Sequence, residues 1–289
     1  IDVEIWSESG IQPPAVVTLK ANSSIVQSLD SLDPGAKRIA LHIVPRSGRV
    51  NAFLVDERGR GLKALGGDMV NASPDPSKMV VIPAIPHMKR SGKALGHTLR
   101  VIVPGDVDAR ISVELISTKG SFVPVGFDDR AIKAGIVTEI ALNPQLIPST
   151  FALRISSDRP IAASVYSSTY AQAKSDFVWS TSTEEMTEYS LAVSGLAPTL
   201  VFAGEKISIS LSVLYTNKKE KKLTITGEGI ATFKVPDNAR TVHFTKVSDK
   251  TVGGALISTQ SGFGYLPLNP GSELTRVLLP SANIRVLNP

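Results

Sequence analysis

Residues Ile1–Gly10, I-D-V-E-I-W-S-E-S-G, recur further on as Ile111–Gly120, I-S-V-E-L-I-S-T-K-G, with Ile, Val, Glu, Ser and Gly in the same places. Pairing Val50 with Ile161 keeps almost the same offset, so the likeness extends well beyond one strand. A second motif, Ser157–Ser168 (S-D-R-P-I-A-A-S-V-Y-S-S), returns at Ser248–Thr259 as S-D-K-T-V-G-G-A-L-I-S-T, and a looser copy starts at Ser47. Repetition of this kind restricts the chain to an array or a ring, because each repeat needs its neighbours to bury its apolar face.

Each repeat also divides in two. Leu99-Arg100-Val101 followed by Ile111–Ser117 resembles Leu153-Arg154-Ile155 followed by Ile161–Ser167. Six half-repeats of about 48 residues result, each with room for four short strands. No long segment has helical periodicity with caps, and Gly 22 and Pro 19 supply turns throughout. Aromatics are only 6%, so Val, Ile, Leu and Ala must fill an all-β interior. The motif Ser157-Asp158-Arg159-Pro160 reads as a β-turn. Val81–Ala84, Val178–Thr181 and Gly264–Leu268 align as the strands that precede each next opening strand.

The chain's last residues, Asn283–Pro289 (N-I-R-V-L-N-P), resemble Thr98–Pro104 (T-L-R-V-I-V-P), the opening strand of the second repeat. They are expected to supply the opening strand of the first repeat and to pair with residues 1–9. The expected fold is a six-bladed β-propeller of three double-blade repeats, closed by the C-terminal strand in the N-terminal blade. The whole of 1–289 is then one closed domain, with repeats at about 1–97 (completed by 283–289), 98–198 and 199–282. Three tandem β-sandwiches are the alternative.

The formal charge is +5 and the charges are scattered. The densest group, Lys218, Lys219, Lys221 and Lys222 around Glu220, lies between two alternating runs and reads as a solvated hairpin tip. It lacks the interleaved aromatics of a single-strand nucleic-acid site, so no nucleic acid is expected as a partner. The absence of cysteine removes disulfides, thiolate chemistry and Cys-based zinc sites. No apolar run reaches the roughly 20 residues of a membrane span. A start at Ile1 reads as a chain whose signal or anchor has been removed.

The opening strands (Leu99–Gly105, Asn283–Pro289), the S-D-x-P-I-A-A motif at Ser157–Ala163 and the aromatic-Leu-Pro segment Tyr265–Pro267 together resemble one family of actinobacterial exported proteins. These are cell-envelope repeat proteins of uncharacterised function. The first copy departs from the pattern, with Val50-Asn51-Ala52 where the motif has I-A-A. The resemblance implies export and an envelope setting, and carries over no functional residues.

Signatures of catalysis are missing. The four histidines, His42, His87, His97 and His243, lack helical zinc spacing, and no nucleophile elbow, phosphate loop or dinucleotide fingerprint occurs. Asp128-Asp129 and Glu184-Glu185 are neighbours, and on a strand would point to opposite faces. Asp106 and Asp108 fit a turn better than a calcium loop. No cofactor or metal is expected. Trp6 and Trp179 sit on strands, where packing competes with an exposed sugar platform.

The repeats align one further set. The middle residue of each opening strand reads Arg285, His42, Arg100, Arg154, Val201, His243. In a closed propeller these positions surround the axis, and the five basic members would recruit an anion. Alternation that merely turns them to solvent is the competing reading. The expected function is therefore a non-catalytic, monomeric envelope or secreted module. It would bind an anionic glycan or a protein partner. A glycan-active hydrolase or lyase is the alternative, and would need two carboxylates in one cleft.

Overall fold

The computed structural model describes residues 1–58, 66–87, 89–90, 93–144, 149–168, 176–258 and 262–269. These residues are all-β apart from one 3-10 turn at Leu29–Ser31. The first repeat gives β1 (Asp2–Ser7), β2 (Gly10–Val16), β3 (Ile39–Val44), β4 (Phe53–Arg58), β5 (Gly66–Asn71) and β6 (Ser77–Ile85). Two short strands, β7 (Lys89–Arg90) and β8 (Lys93–Ala94), form a hairpin. The second repeat gives β9 (Gly96–Ile102), β10 (Ala109–Ser117), β11 (Gly120–Phe122), β12 (Arg130–Ile132) and β13 (Thr138–Leu142). It continues with β14 (Phe151–Ser168), β15 (Phe177–Thr181) and β16 (Tyr189–Ala192). The third gives β17 (Thr199–Tyr215), β18 (Glu220–Lys234), β19 (Ala239–Val247), β20 (Val252–Ser258) and β21 (Phe263–Pro267).

The repeat is visible atom by atom. The β1–β2 hairpin closes at Ser7 opposite Gly10 and the β10–β11 hairpin at Ser117 opposite Gly120. In both turns the first serine's Oγ accepts the N–H two residues on, at 3.2 Å. Gly10 and Gly120 stand at φ +113° and +115°, a backbone state that a Cβ would strain.

Two long strands organise the larger sheets. Residues 151–156 of β14 lie between β10 and β6, whereas residues 162–168 lie between β9 and β15. The pairing with β6 is broken between Ser156 and Ile161, and there the strand passes from one wall to the other. The expected turn at Ser157–Pro160 is thus a bend inside a continuous strand; Asp158 caps it by accepting the Arg110 amide at 2.8 Å. The equivalent Ser248–Thr251 is a true turn, with Lys250 at φ +56°. β17 repeats the device: its first half pairs with β20 and its second with β19, and β18 runs along both.

Period-2 alternation then fills two interiors. Around β14, Leu99, Val113, Leu153 and Val165 are fully buried between the walls, and around β17, Leu200, Ile209, Val242 and Phe244 are. The eight-stranded and six-stranded sheets each curl round their own core. A closed ring of six blades is not seen among the described residues. A third cluster, with Ala84, Ala152, Val178, Val201 and Tyr265, joins the two units.

Strands are also passed between repeats. β6 belongs to the first repeat yet pairs with β14 of the second, and β16 of the second pairs with β19 of the third. Pairing makes β5, β15 and β21 equivalent, since they flank β4, β14 and β20. Val81–Ala84 lies in β6, so it is not the counterpart of Val178–Thr181 and Gly264–Leu268, as alignment suggested. Both edges of β1 are occupied, by β2 and β3. The expected C-terminal strand 283–289 lies outside the described residues.

Candidate functional site: a cationic cleft

Where the first repeat meets the second, a cleft of about 410 Å³ is lined by Lys37, Arg38, Arg58, Thr98, Arg100, Glu139 and Tyr166. Four of these side chains are cationic and one is a carboxylate. A second cleft, about 390 Å³, sets Lys246 and Lys250 against Glu185, Glu188 and Asp249, and offers an anion no net attraction.

The two repeats supply different parts. β14 and β15 stack Tyr166 against Phe177 and Trp179, with ring centroids 5.4 and 5.1 Å apart. Arg58, from β4, lays its guanidinium 4.3 Å over Tyr166 and 4.8 Å over Phe177. It donates to the Tyr166 hydroxyl at 3.0 Å and to Asp56 at 3.1 Å. Arg100, from β9, lies 4.7 Å over Trp179 and donates through Nε to Glu139 on β13 at 3.1 Å. Stacking and hydrogen bonding fix both guanidinium planes before any ligand arrives.

Beneath them the first repeat clamps Trp179. Its backbone N–H donates to Asp68 at 2.7 Å and its indole N–H to Asp56 at 2.9 Å. Burial, reinforced by the nearby charges of Asp176 and Asp56, pushes the Asp68 carboxyl up to about 6, although the Trp179 and Met69 amides pull the other way. At the rim, Lys37 and Arg38 are held through their backbone: both amides donate to the Glu8 carboxylate, at 2.9 and 2.8 Å. Glu8 comes from the Ser7–Gly10 turn, so the repeated hairpin positions the rim. Neither Lys37 nor Arg38 has a carboxylate ion-pair partner among the described residues. The Glu8 carboxylate, held below its ordinary range chiefly by the Lys37 amide and in part by the charge of Arg38, offsets some of that positive charge.

The sequence-predicted basic set is distributed differently. Arg100 lines the cleft. His42 faces Glu4 across β1–β3, 2.8 Å away, and Arg154 faces Glu114 across β10–β14 at 3.2 Å. His243 touches Ser190 at 2.9 Å and Glu188 at 3.5 Å. Val201 is buried between units, and Arg285 lies outside the described residues. In register, Glu4 and Glu114 are the glutamates matched by the repeat, so the recurring base is half of a recurring cross-strand pair.

Other candidates resolve into structure. Asp108 accepts the Ala134 amide at 2.9 Å and Asp129 holds Arg110 at 2.6 Å. Trp6 and Trp179 are both buried, leaving neither face as a sugar platform. No group of three metal-ligating side chains occurs among the described residues. Sequence reasoning missed Lys37, Arg38 and Arg58, which lie off the repeat motif; the aligned positions carried no hint of them.

The fold and cleft define an all-β repeat protein with a preformed cationic groove between repeats. The chain belongs to a family of unknown function, DUF5719, whose profile matches residues 1–236. No curated protein matches it. Among solved structures, the crystal structure of Thermotoga maritima 1070 aligns with 37% of this chain and 93% of its own, at 12% identity and a TM-score of 0.29.

Proposed function

We propose that this chain is a non-catalytic binding module whose cleft between the first two repeats takes an anionic ligand. The observation that carries the reading is the pairing of two rim cations whose side chains form no ion pair among the described residues, Lys37 and Arg38, with two guanidiniums already stacked in place. Guanidinium forks favour carboxylate, phosphate or sulfate. Because the aromatic faces are covered by Arg58 and Arg100, recognition rests on charge and hydrogen bonds, and an anionic glycan would be held by its acid groups. We place the module outside the cytoplasm, on the strength of the family resemblance.

Titration of polygalacturonate and, separately, of inorganic phosphate into the protein tests the reading. Each lost charged contact costs about 1.5–3 kcal/mol, so Lys37→Ala with Arg38→Ala should weaken binding at least about tenfold. Added salt should weaken the wild type more than the double variant. Equal affinity in the two proteins, or no binding of either probe, refutes the proposal.

A further inference from the structure

The cations of the cleft are not shared evenly between its walls. The first repeat supplies Lys37, Arg38 and Arg58, whereas the second supplies Arg100 together with Thr98, Glu139 and Tyr166. That second wall is a ladder of cross-strand pairs. On β9, Thr98 and Arg100 are two residues apart and so share a face; β13 sets Glu139 opposite Arg100, and β14 sets Tyr166 opposite Thr98. Register alone thus puts a carboxylate, a guanidinium, an alcohol and a phenol side by side on one sheet.

The carboxylate has capacity left. Glu139 takes both of its hydrogen bonds from Arg100 on Oε1, from Nε at 3.1 Å and from a terminal nitrogen at 2.5 Å. Its Oε2 accepts nothing among the described residues, and the side chain is 33% exposed. Thr98 adds a hydroxyl that can donate or accept. A carboxylate in an anion site is a cost unless the ligand also brings a donor. Sulfate presents only acceptor oxygens, so Oε2 repels it. An organic acid that carries hydroxyls gives Oε2 a charge-assisted hydrogen bond. A ligand ammonium would also satisfy Oε2 but would lie in a cleft that Arg58 and Arg100 line, so a neutral O–H fits better. The size agrees: about 410 Å³ falls within the roughly 300–1,000 Å³ of small-molecule pockets, and a lone inorganic anion would leave most of it to water.

Resting on the anion-binding reading above, we infer that the cleft selects a hydroxylated carboxylic acid of the sugar-acid type, its carboxylate held by the first-repeat cations and its hydroxyls read by Glu139 and Thr98. Glu139 is then a specificity-determining residue. It disfavours bare anions and favours those that carry O–H donors.

Galacturonate and cyclohexanecarboxylate are a matched pair for the test, each with one six-membered ring and one carboxylate, with and without hydroxyls. Chemical-shift titration of the chain 1–289 should give galacturonate the lower Kd by about tenfold, the worth of one charged hydrogen bond. Glu139→Ala should bring the two constants to within about twofold of each other, and Glu139→Gln, which keeps an acceptor without the charge, should move the ratio the same way by less. Equal constants in the wild type, or a ratio that either variant leaves unchanged, would overturn the selection. Anion binding itself would still stand in that case if Lys37→Ala with Arg38→Ala weakened both acids. If the double variant bound both acids as the wild type does, or if neither acid shifted any resonance, the anion-binding reading would fall and the selection with it.

Discussion

Acidification should separate the buried histidine pair from the rest of the molecule. His87 and His97 lie 5% and 3% exposed, with Nδ1 of His87 3.0 Å from Nε2 of His97. The other His97 nitrogen meets the Ser167 hydroxyl at 2.9 Å, and Phe151 packs edge-on against both rings. Burial, and then the neighbouring His87, hold His97 down at about 3 against an ordinary 6.5. Its stabilising contribution is complete above 6.5 and drains away as pH falls toward 3, because the unfolded chain takes up the proton first. The slope is about 1.4 kcal/mol per pH unit, so near pH 4.5 the loss is roughly 2–3 kcal/mol. Asp68 works in the opposite sense. Raised from 3.8 to about 6, it costs the fold as it ionises, so acidification across that window returns stability. The wild type alone would therefore show a shallow pH profile that hides both effects. The informative quantity is the difference between wild type and His97→Gln, read by urea unfolding through the pH range. That difference should shrink by about 2–3 kcal/mol between about pH 7 and about pH 4.5. Two profiles that stay parallel would refute the assignment of His97 as a buried neutral base.

Two other changes probe the joint between the large units. A Cβ at Gly254 would lie 2.7 Å from the Tyr265 ring and 2.9 Å from the Ala84 Cβ, so Gly254→Ala should cost about 1–3 kcal/mol in urea unfolding. An unchanged midpoint would show that β20 and β6 are less closely opposed than described. The Tyr265 hydroxyl, fully buried, donates to the Thr181 carbonyl at 2.7 Å, and its burial raises the phenol well above the usual range. Tyr265→Phe should cost about 1–3 kcal/mol by leaving that carbonyl unpaired, and the variant should titrate as many tyrosines below the alkaline unfolding point as the wild type.

Much of the architecture was legible in the residues. The match of Ile1–Gly10 with Ile111–Gly120 marked a repeated unit, and both copies are hairpins closed at Ser7–Gly10 and Ser117–Gly120; that its glutamates, Glu4 and Glu114, pair with His42 and Arg154 was not read, because those bases were expected around an axis. Alternation located the buried faces of β10 and β17. What could not be read was which strand lies beside which. Periodicity encodes the face a side chain takes, and says nothing of the edge, so β6 pairing with β14 was invisible and Val81–Ala84 was aligned with the wrong strands. Ser157–Pro160 has turn chemistry but is stretched, because the same strand must serve two walls. The cleft escaped for a related reason. Lys37 and Arg38 are held by Glu8 and Arg58 by Tyr166, contacts set by tertiary packing between segments far apart in the chain.

The forward loan of β6 and β16 has a consequence for biogenesis. As a nascent chain leaves the ribosome, β6 emerges well before the β14 residues that will cover Val80, Ile82 and Ile85. Until then that edge is an open template for any passing strand, and β16 stands in the same position ahead of β19. Fragments cut at the repeat boundaries inherit the problem permanently: one beginning at Thr199 lacks β16, and one spanning 98–198 lacks β6 while carrying β16 with nothing to pair it. Expression boundaries are better drawn to keep each lent strand with the sheet that receives it than at the repeat boundaries.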